Sequence, residues 1–180
     1  MNRFGLSVIF SVVVLTLFGI AQQSPGMYVD QDGALSKLSP AVFSGTEASN
    51  HIAKAKVFFV FRGAHSSVQL STTHPHFRLI CGLQDASLIV FCATGPQPSD
   101  LIVVRLDEKS DHRDALTATG SMFGGHGGFD PKKTTTASLT KRDDSNWEVS
   151  PGNDLAPGEY LLTTGTQARG FDFGIQSGAR

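Results

Sequence analysis

The sequence predicts an all-β protein, and three observations carry that reading. Short runs of β-branched and aromatic residues recur along the chain, several of them alternating apolar with polar or small side chains. Most of the 19 glycines and 8 prolines fall between those runs, where tight turns need them. No stretch sustains an apolar face at helical spacing, and strands do not alternate with helices as a parallel sheet would require.

The elements follow in order. Tyr28-Val29, Asp30-Gln31-Asp32-Gly33 and Ala34 to Leu38 read as strand, turn and strand, with Asp-Gly supplying positive φ at the turn. A calcium loop beginning at Asp30 would need Gly at its sixth place and Glu at its twelfth; Leu35 and Ala41 stand there, so the hairpin turn is preferred. Ala48 to Lys56 is the one place for a short helix. Lys56 to Arg62 (KVFFVFR) is a central strand ending at Gly63. Val68 to Ser71 and Phe77 to Ile80 flank a turn at Thr73-His74-Pro75, and Leu88 to Cys92 and Leu101 to Leu106 (LIVVRL) follow as strands. Trp147 to Val149, Tyr160 to Thr164 and Phe171 to Ile175 finish the chain. Eight or nine short strands with this punctuation predict a single antiparallel β-sandwich, immunoglobulin-like or related, broken by a glycine-rich loop. Its dominant energy is burial of Phe, Ile, Val and Leu, at roughly 1.5–3 kcal/mol per fully buried side chain.

The N-terminus carries an address. Met1-Asn2-Arg3 is a positive start, Phe4 to Ile20 is an uncharged apolar run, and Gly19 and Ala21 are small residues just before the polar Gln22-Gln23-Ser24-Pro25. This pattern predicts a signal peptide over residues 1–21, cleaved after Ala21, with residues 22–180 forming one sandwich domain that is secreted or periplasmic and has no integral membrane span. An uncleaved anchor is the alternative. The run is short for one, contains Gly5, Ser7, Ser11 and Thr16, and lacks a basic stop-transfer flank. Both cysteines lie in the exported part, where an oxidising compartment favours a Cys81–Cys92 disulfide; a direct hairpin between them would turn at Ala86-Ser87, which lacks the usual turn chemistry, and two buried free thiols are the alternative.

Charge excludes some partners. With 15 Lys plus Arg against 16 Asp plus Glu, the chain has a formal charge of −1, unlike a polybasic nucleic-acid binder or a disordered tail. Between Thr117 and Thr136 lie five glycines within Gly120 to Gly128, followed by Phe129-Asp130-Pro131. Neither a Gly-Lys-Ser/Thr helix entry nor G-x-G-x-x-G after a strand is present, so a phosphate cradle is set aside. A mobile surface loop is expected, with Phe123, His126 and Phe129 as its binding residues; the alternative for the two phenylalanines is that they fold back on the sandwich.

Histidine offers the one metal chemistry. His74 and His76 in His-Pro-His would share a side if extended, and with a third ligand from His51, His65, His112 or His126 they could hold zinc or copper. Pro75 favours a turn or a sheet edge, there is no H-E-x-x-H, and surface histidines without a ligand role are the commoner outcome. No G-x-S-x-G elbow or protease-type cysteine signature occurs. The adjacent carboxylates Asp107-Glu108 and Asp143-Asp144 would face opposite ways on a strand.

The closing pattern Asp154-Leu155-Ala156-Pro157-Gly158-Glu159-Tyr160, followed by Phe171-Asp172-Phe173-Gly174-Ile175, resembles the end of a group of exported bacterial proteins common among soil bacteria such as acidobacteria. Gly26-Met27-Tyr28-Val29 before Asp32-Gly33, the strand from Asp100 to Leu106 and the glycine-rich insert are similar in order. The resemblance implies a bacterial exported β-sandwich and carries no catalytic residue. The resulting expectation is a non-catalytic protein with a binding or structural role in the periplasm or envelope, its partner an envelope protein or a polysaccharide and it needs no cofactor. The alternative is a metal carrier or metal-dependent enzyme built on His74 and His76.

Overall fold

Hydrogen bonding between extended segments accounts for nearly all the regular structure. The computed structural model describes residues 24–31, 33–51, 54–82, 92, 101–165 and 168–179. The expected leader over residues 1–21, the expected strand from Leu88 to Cys92 apart from Cys92 itself, and the turn expected at Ala86-Ser87 lie outside the described residues.

The strands are β1 (Gly26–Gln31), β2 (Ala34–Lys37), β3 (Phe43–His51), β4 (Lys54–Arg62), β5 (Gln69–Leu70), β6 (Phe77–Ile80), β7 (Leu101–Arg105), β8 (Asp107–Glu108), β9 (His112–Ser121), β10 (Gly124–Gly127), β11 (Thr134–Lys141), β12 (Asn146–Pro151), β13 (Gly158–Thr164) and β14 (Gly170–Ile175). One 3-10 turn, Pro131–Lys133, precedes β11, with the Asp130 side chain accepting from the Lys132 amide. The β1–β2 turn follows the expected chemistry: Gly33 has φ 84° and its amide donates to the Asp30 carboxylate at 2.9 Å.

Nine strands run in the order β2-β1-β6-β12-β11-β7-β13-β14-β5, all antiparallel except the parallel pair β14–β5. This ribbon folds over at β11. Thr134 to Thr136 pair with β7, whereas Ala137 to Lys141 pair with β12, so one strand serves both halves. The halves face each other across a core that includes Met27, Val29, Phe77, Leu79, Val103, Leu162, Phe171 and Phe173. Phe77 on β6 meets Phe173 on β14 with ring centroids 4.9 Å apart. At the far edges, the Gln31 amide donates to the Gln69 carbonyl at 3.2 Å.

A separate sheet, β10-β9-β4-β3 with β8 alongside β9, covers the outer face of the β7–β13–β14 half. Between them lies a second core of Phe61, Val104, Leu106, Ala115, Phe129 and Leu161. Neighbours on one strand therefore serve different cores: Val103 and Leu162 point to the first, Val104 and Leu161 to the second. This is why β14 is buried at every position. The sandwich is thus flanked by a third layer, and its large sheet is mixed rather than purely antiparallel.

Three local expectations are corrected. The described part of the segment Ala48 to Lys56, residues 48–51 and 54–56, is not helical; it lies on the paired strands β3 and β4, where Ala48 pairs with Val57 and Ser49 with Lys56. The segment has no apolar helical face to bury, and a ladder to β4 satisfies its backbone instead. The glycine-rich loop is largely a hairpin, with Ser121 opposite Gly124, Gly125 opposite Gly120 and His126 opposite Thr119. Cross-strand hydrogen bonds offset the entropy that glycine loses on ordering. Phe129, expected as a binding residue of that loop, is buried in the second core with its ring centroid 6.0 Å from that of Phe59. Cys81 and Cys92 lie at disulfide distance, their Cα atoms 5.6 Å apart.

Candidate functional site

The β9–β10 hairpin ends in two apolar side chains at the place where turn chemistry calls for Asn, Asp or Gly. Ser121 and Gly124 close the hairpin, leaving Met122 and Phe123 as its two-residue tip. Met122 is 82% exposed and Phe123 93%, making them the most exposed large apolar residues among those described. The turn is held locally: the Ser121 hydroxyl donates to the Gly124 carbonyl at 3.0 Å and accepts from the Phe123 amide at 3.3 Å. Gly124 has φ 137°, outside the range that a residue with a Cβ adopts readily.

The sheet carrying this tip extends beyond the layer it covers. Residues 46–48, 50, 54–56 and 121–127 are all exposed, although they form continuous ladders across β3, β4, β9 and β10. Opposed residues in an antiparallel pair share a face, so Lys54 beside Ser121 and Lys56 beside Thr119 and His126 line one side of this blade. Thr117 is skipped where the β4–β9 register shifts, and its hydroxyl caps the Val57 carbonyl at 3.1 Å. At the base of β10 is a cleft of about 250 Å³ whose lining includes Leu116, Thr119, His126 and Lys132.

The remaining histidines scatter. His74 Nδ1 is 3.0 Å from an Asp154 carboxylate oxygen and His76 Nδ1 is 3.1 Å from Glu148, with the two ring centroids 5.6 Å apart. His126 is on the blade, His112 begins β9 and His65 follows β4. The side chain of His51 lies outside what the structure describes. Among the described residues no three His, Cys, Asp or Glu side chains converge as a metal ion would require.

Two charged clusters were not legible in the sequence. Arg113 is buried between the blade sheet and the sandwich: its guanidinium lies 2.6 Å from Asp172 and 3.3 Å from Glu159 and donates to the Gly63 and Arg62 carbonyls at 2.9 and 3.0 Å. Glu159 also accepts from the Ser66 amide at 2.7 Å and the Gln69 side chain at 2.8 Å. These bonds tie the two layers together. The second cluster is at the start of β9, where His112 lies between Asp111 at 2.7 Å and Asp114 at 3.2 Å. The hydrogen bond to Asp111 pushes the imidazole above its ordinary pKa, and the same contact lowers that of Asp111. Burial raises the pKa of Asp114, whose Oδ1 has no hydrogen-bond partner although His112 is near. Lys109, 3.9 Å from the other oxygen, is its remaining counter-charge.

Comparison with protein-family models, curated proteins and solved structures finds no match to this chain. No helix among the described residues is long and apolar enough to cross a membrane.

Proposed function

We propose that the protein is an exported, non-catalytic β-sandwich that docks in the bacterial periplasm or envelope, with the β9–β10 hairpin as its contact element. The observation that carries this reading is the pair Met122 and Phe123, exposed at a turn where polar residues or glycine would be the stable choice. A local rule broken without a folding gain marks a residue retained for contact. The rest of the molecule supports a scaffold role: the buried Arg113, Glu159 and Asp172 are consumed in joining layers, and the hairpin leaves a stiff sheet rather than a free loop.

A photo-reactive phenylalanine analogue at position 123 tests this in the native envelope. Light-dependent adducts are expected, together with loss of envelope retention in a folded M122S/F123S variant. Absence of adducts with unchanged retention would remove the hairpin from the function.

A further inference from the structure

We infer that the blade tip docks on an anionic lipid surface, with Met122 and Phe123 entering the headgroup layer while Lys54 and Lys56 engage the lipid phosphates. This rests on the docking reading above and names its partner.

Charge supplies the first argument. The exposed blade residues 46–48, 50, 54–56 and 121–127 carry Lys54, Lys56 and His126 against one carboxylate, Glu47, which stands on β3 opposite Phe58, farther along the ladder from the tip than either lysine. The chain as a whole carries −1, so the rest of the molecule is net negative and the blade is its cationic end. Lys54 and Lys56 are exposed, share a face and make no ion pair among the described residues. Lys54 stands opposite Ser121, the residue next to the apolar tip. Two adjacent signals, an apolar insertion and a basic patch, are what reversible attachment to an anionic membrane needs.

Shape supplies the second. The tip is convex, and two side chains are far less surface than the roughly 800 Å² per partner typical of a stable protein interface. A sugar would need a flat aromatic platform, and Phe123 is the only aromatic residue at the tip. The hairpin behind it is slim: Gly120, Gly124, Gly125 and Gly127, with Ser121 and Thr119, are small, and His126 opposite Thr119 is its one long polar side chain. A narrow wedge with an aromatic residue at its end is suited to the interfacial zone.

The test uses the full chain with F123W in a W147F background, so that the reporting indole is at the tip and residues 1–21 contribute no signal. Phosphatidylglycerol vesicles should blue-shift the emission, and brominated phosphatidylglycerol should quench it. Phosphatidylcholine vesicles should do neither. K54Q/K56Q should weaken the titration roughly 30-fold, the factor that two lysines near an anionic surface supply. No shift with phosphatidylglycerol, equal response to phosphatidylcholine, or an unchanged titration for K54Q/K56Q would each overturn the inference. If photo-adducts at position 123 still form on a protein or a polysaccharide, docking stands and the lipid partner falls; if neither appears, both fall.

Discussion

Replacing Arg113 by Met should destabilise the protein more than any surface change. Arg113 is 2% exposed, and its guanidinium faces two carboxylates, Glu159 and Asp172, each at least nine-tenths buried, as well as two backbone carbonyls. Methionine conserves much of the volume but leaves two negative charges together in a poorly solvated layer and two carbonyls without their donor. Removing one partner from a buried ion pair costs about 3–5 kcal/mol. For a chain of this size that is a fall in melting temperature of about 10–15 °C. Urea unfolding, followed by circular dichroism, measures it. Charge is separated from packing by R113M/E159Q/D172N, which should recover most of the loss because no charge then remains in the cluster around position 113. A loss under about 1 kcal/mol for R113M, or a triple variant no better than the single, would refute the argument that uncompensated charge is the cost.

The two phenylalanines of the glycine-rich segment should behave oppositely. F129A should lose about 3–5 kcal/mol by opening the second core, and F123A less than about 0.5 kcal/mol, both read from denaturant midpoints. Opening the Cys81–Cys92 link with C81S/C92S should cost about 2–3 kcal/mol on the chain-entropy model for its short loop, checked by unfolding, with thiol alkylation reporting the bond in the parent. For His112 the sign follows from its raised folded pKa: its contribution is fully present below the unfolded value near 6.5 and is lost as pH rises through the folded one. The melting-temperature gap between the parent and H112N should therefore be wider at about pH 5.5 than at about pH 8.5, and equal gaps would count against the Asp111 hydrogen bond as its cause.

The blade and the charged layer bear on each other physically. Arg113 is on β9, the strand that ends at the tip, and its bonds to β13 and β14 fix the root of the hairpin against the sandwich.

Strand content was open to the sequence wherever apolar runs bounded by turn residues occur. Lys56 to Arg62, Leu101 to Leu106, Tyr160 to Thr164 and Phe171 to Ile175 all lie within or largely within β4, β7, β13 and β14. Val68 to Ser71 shortens to Gln69–Leu70, and Leu106 leaves the ladder. Strands made of polar and small residues, Phe43–His51, His112–Ser121 and Thr134–Lys141, gave no periodic signal, because they are stabilised by partners distant in the chain rather than by an apolar face of their own.

Short apolar and β-branched runs bounded by turn residues, with side-chain direction alternating by local stereochemistry, determined from the sequence alone that the protein is all-β and that its apolar residues would fill a sandwich. Only the tertiary structure decided that β13 and β14 are sealed on both faces, that Phe129 turns inward while Phe123 stands out, and that Arg113 meets Glu159 and Asp172. Those outcomes depend on which strands become neighbours across many tens of residues, and no local pattern encodes a contact between segments that meet only when the sheets stack.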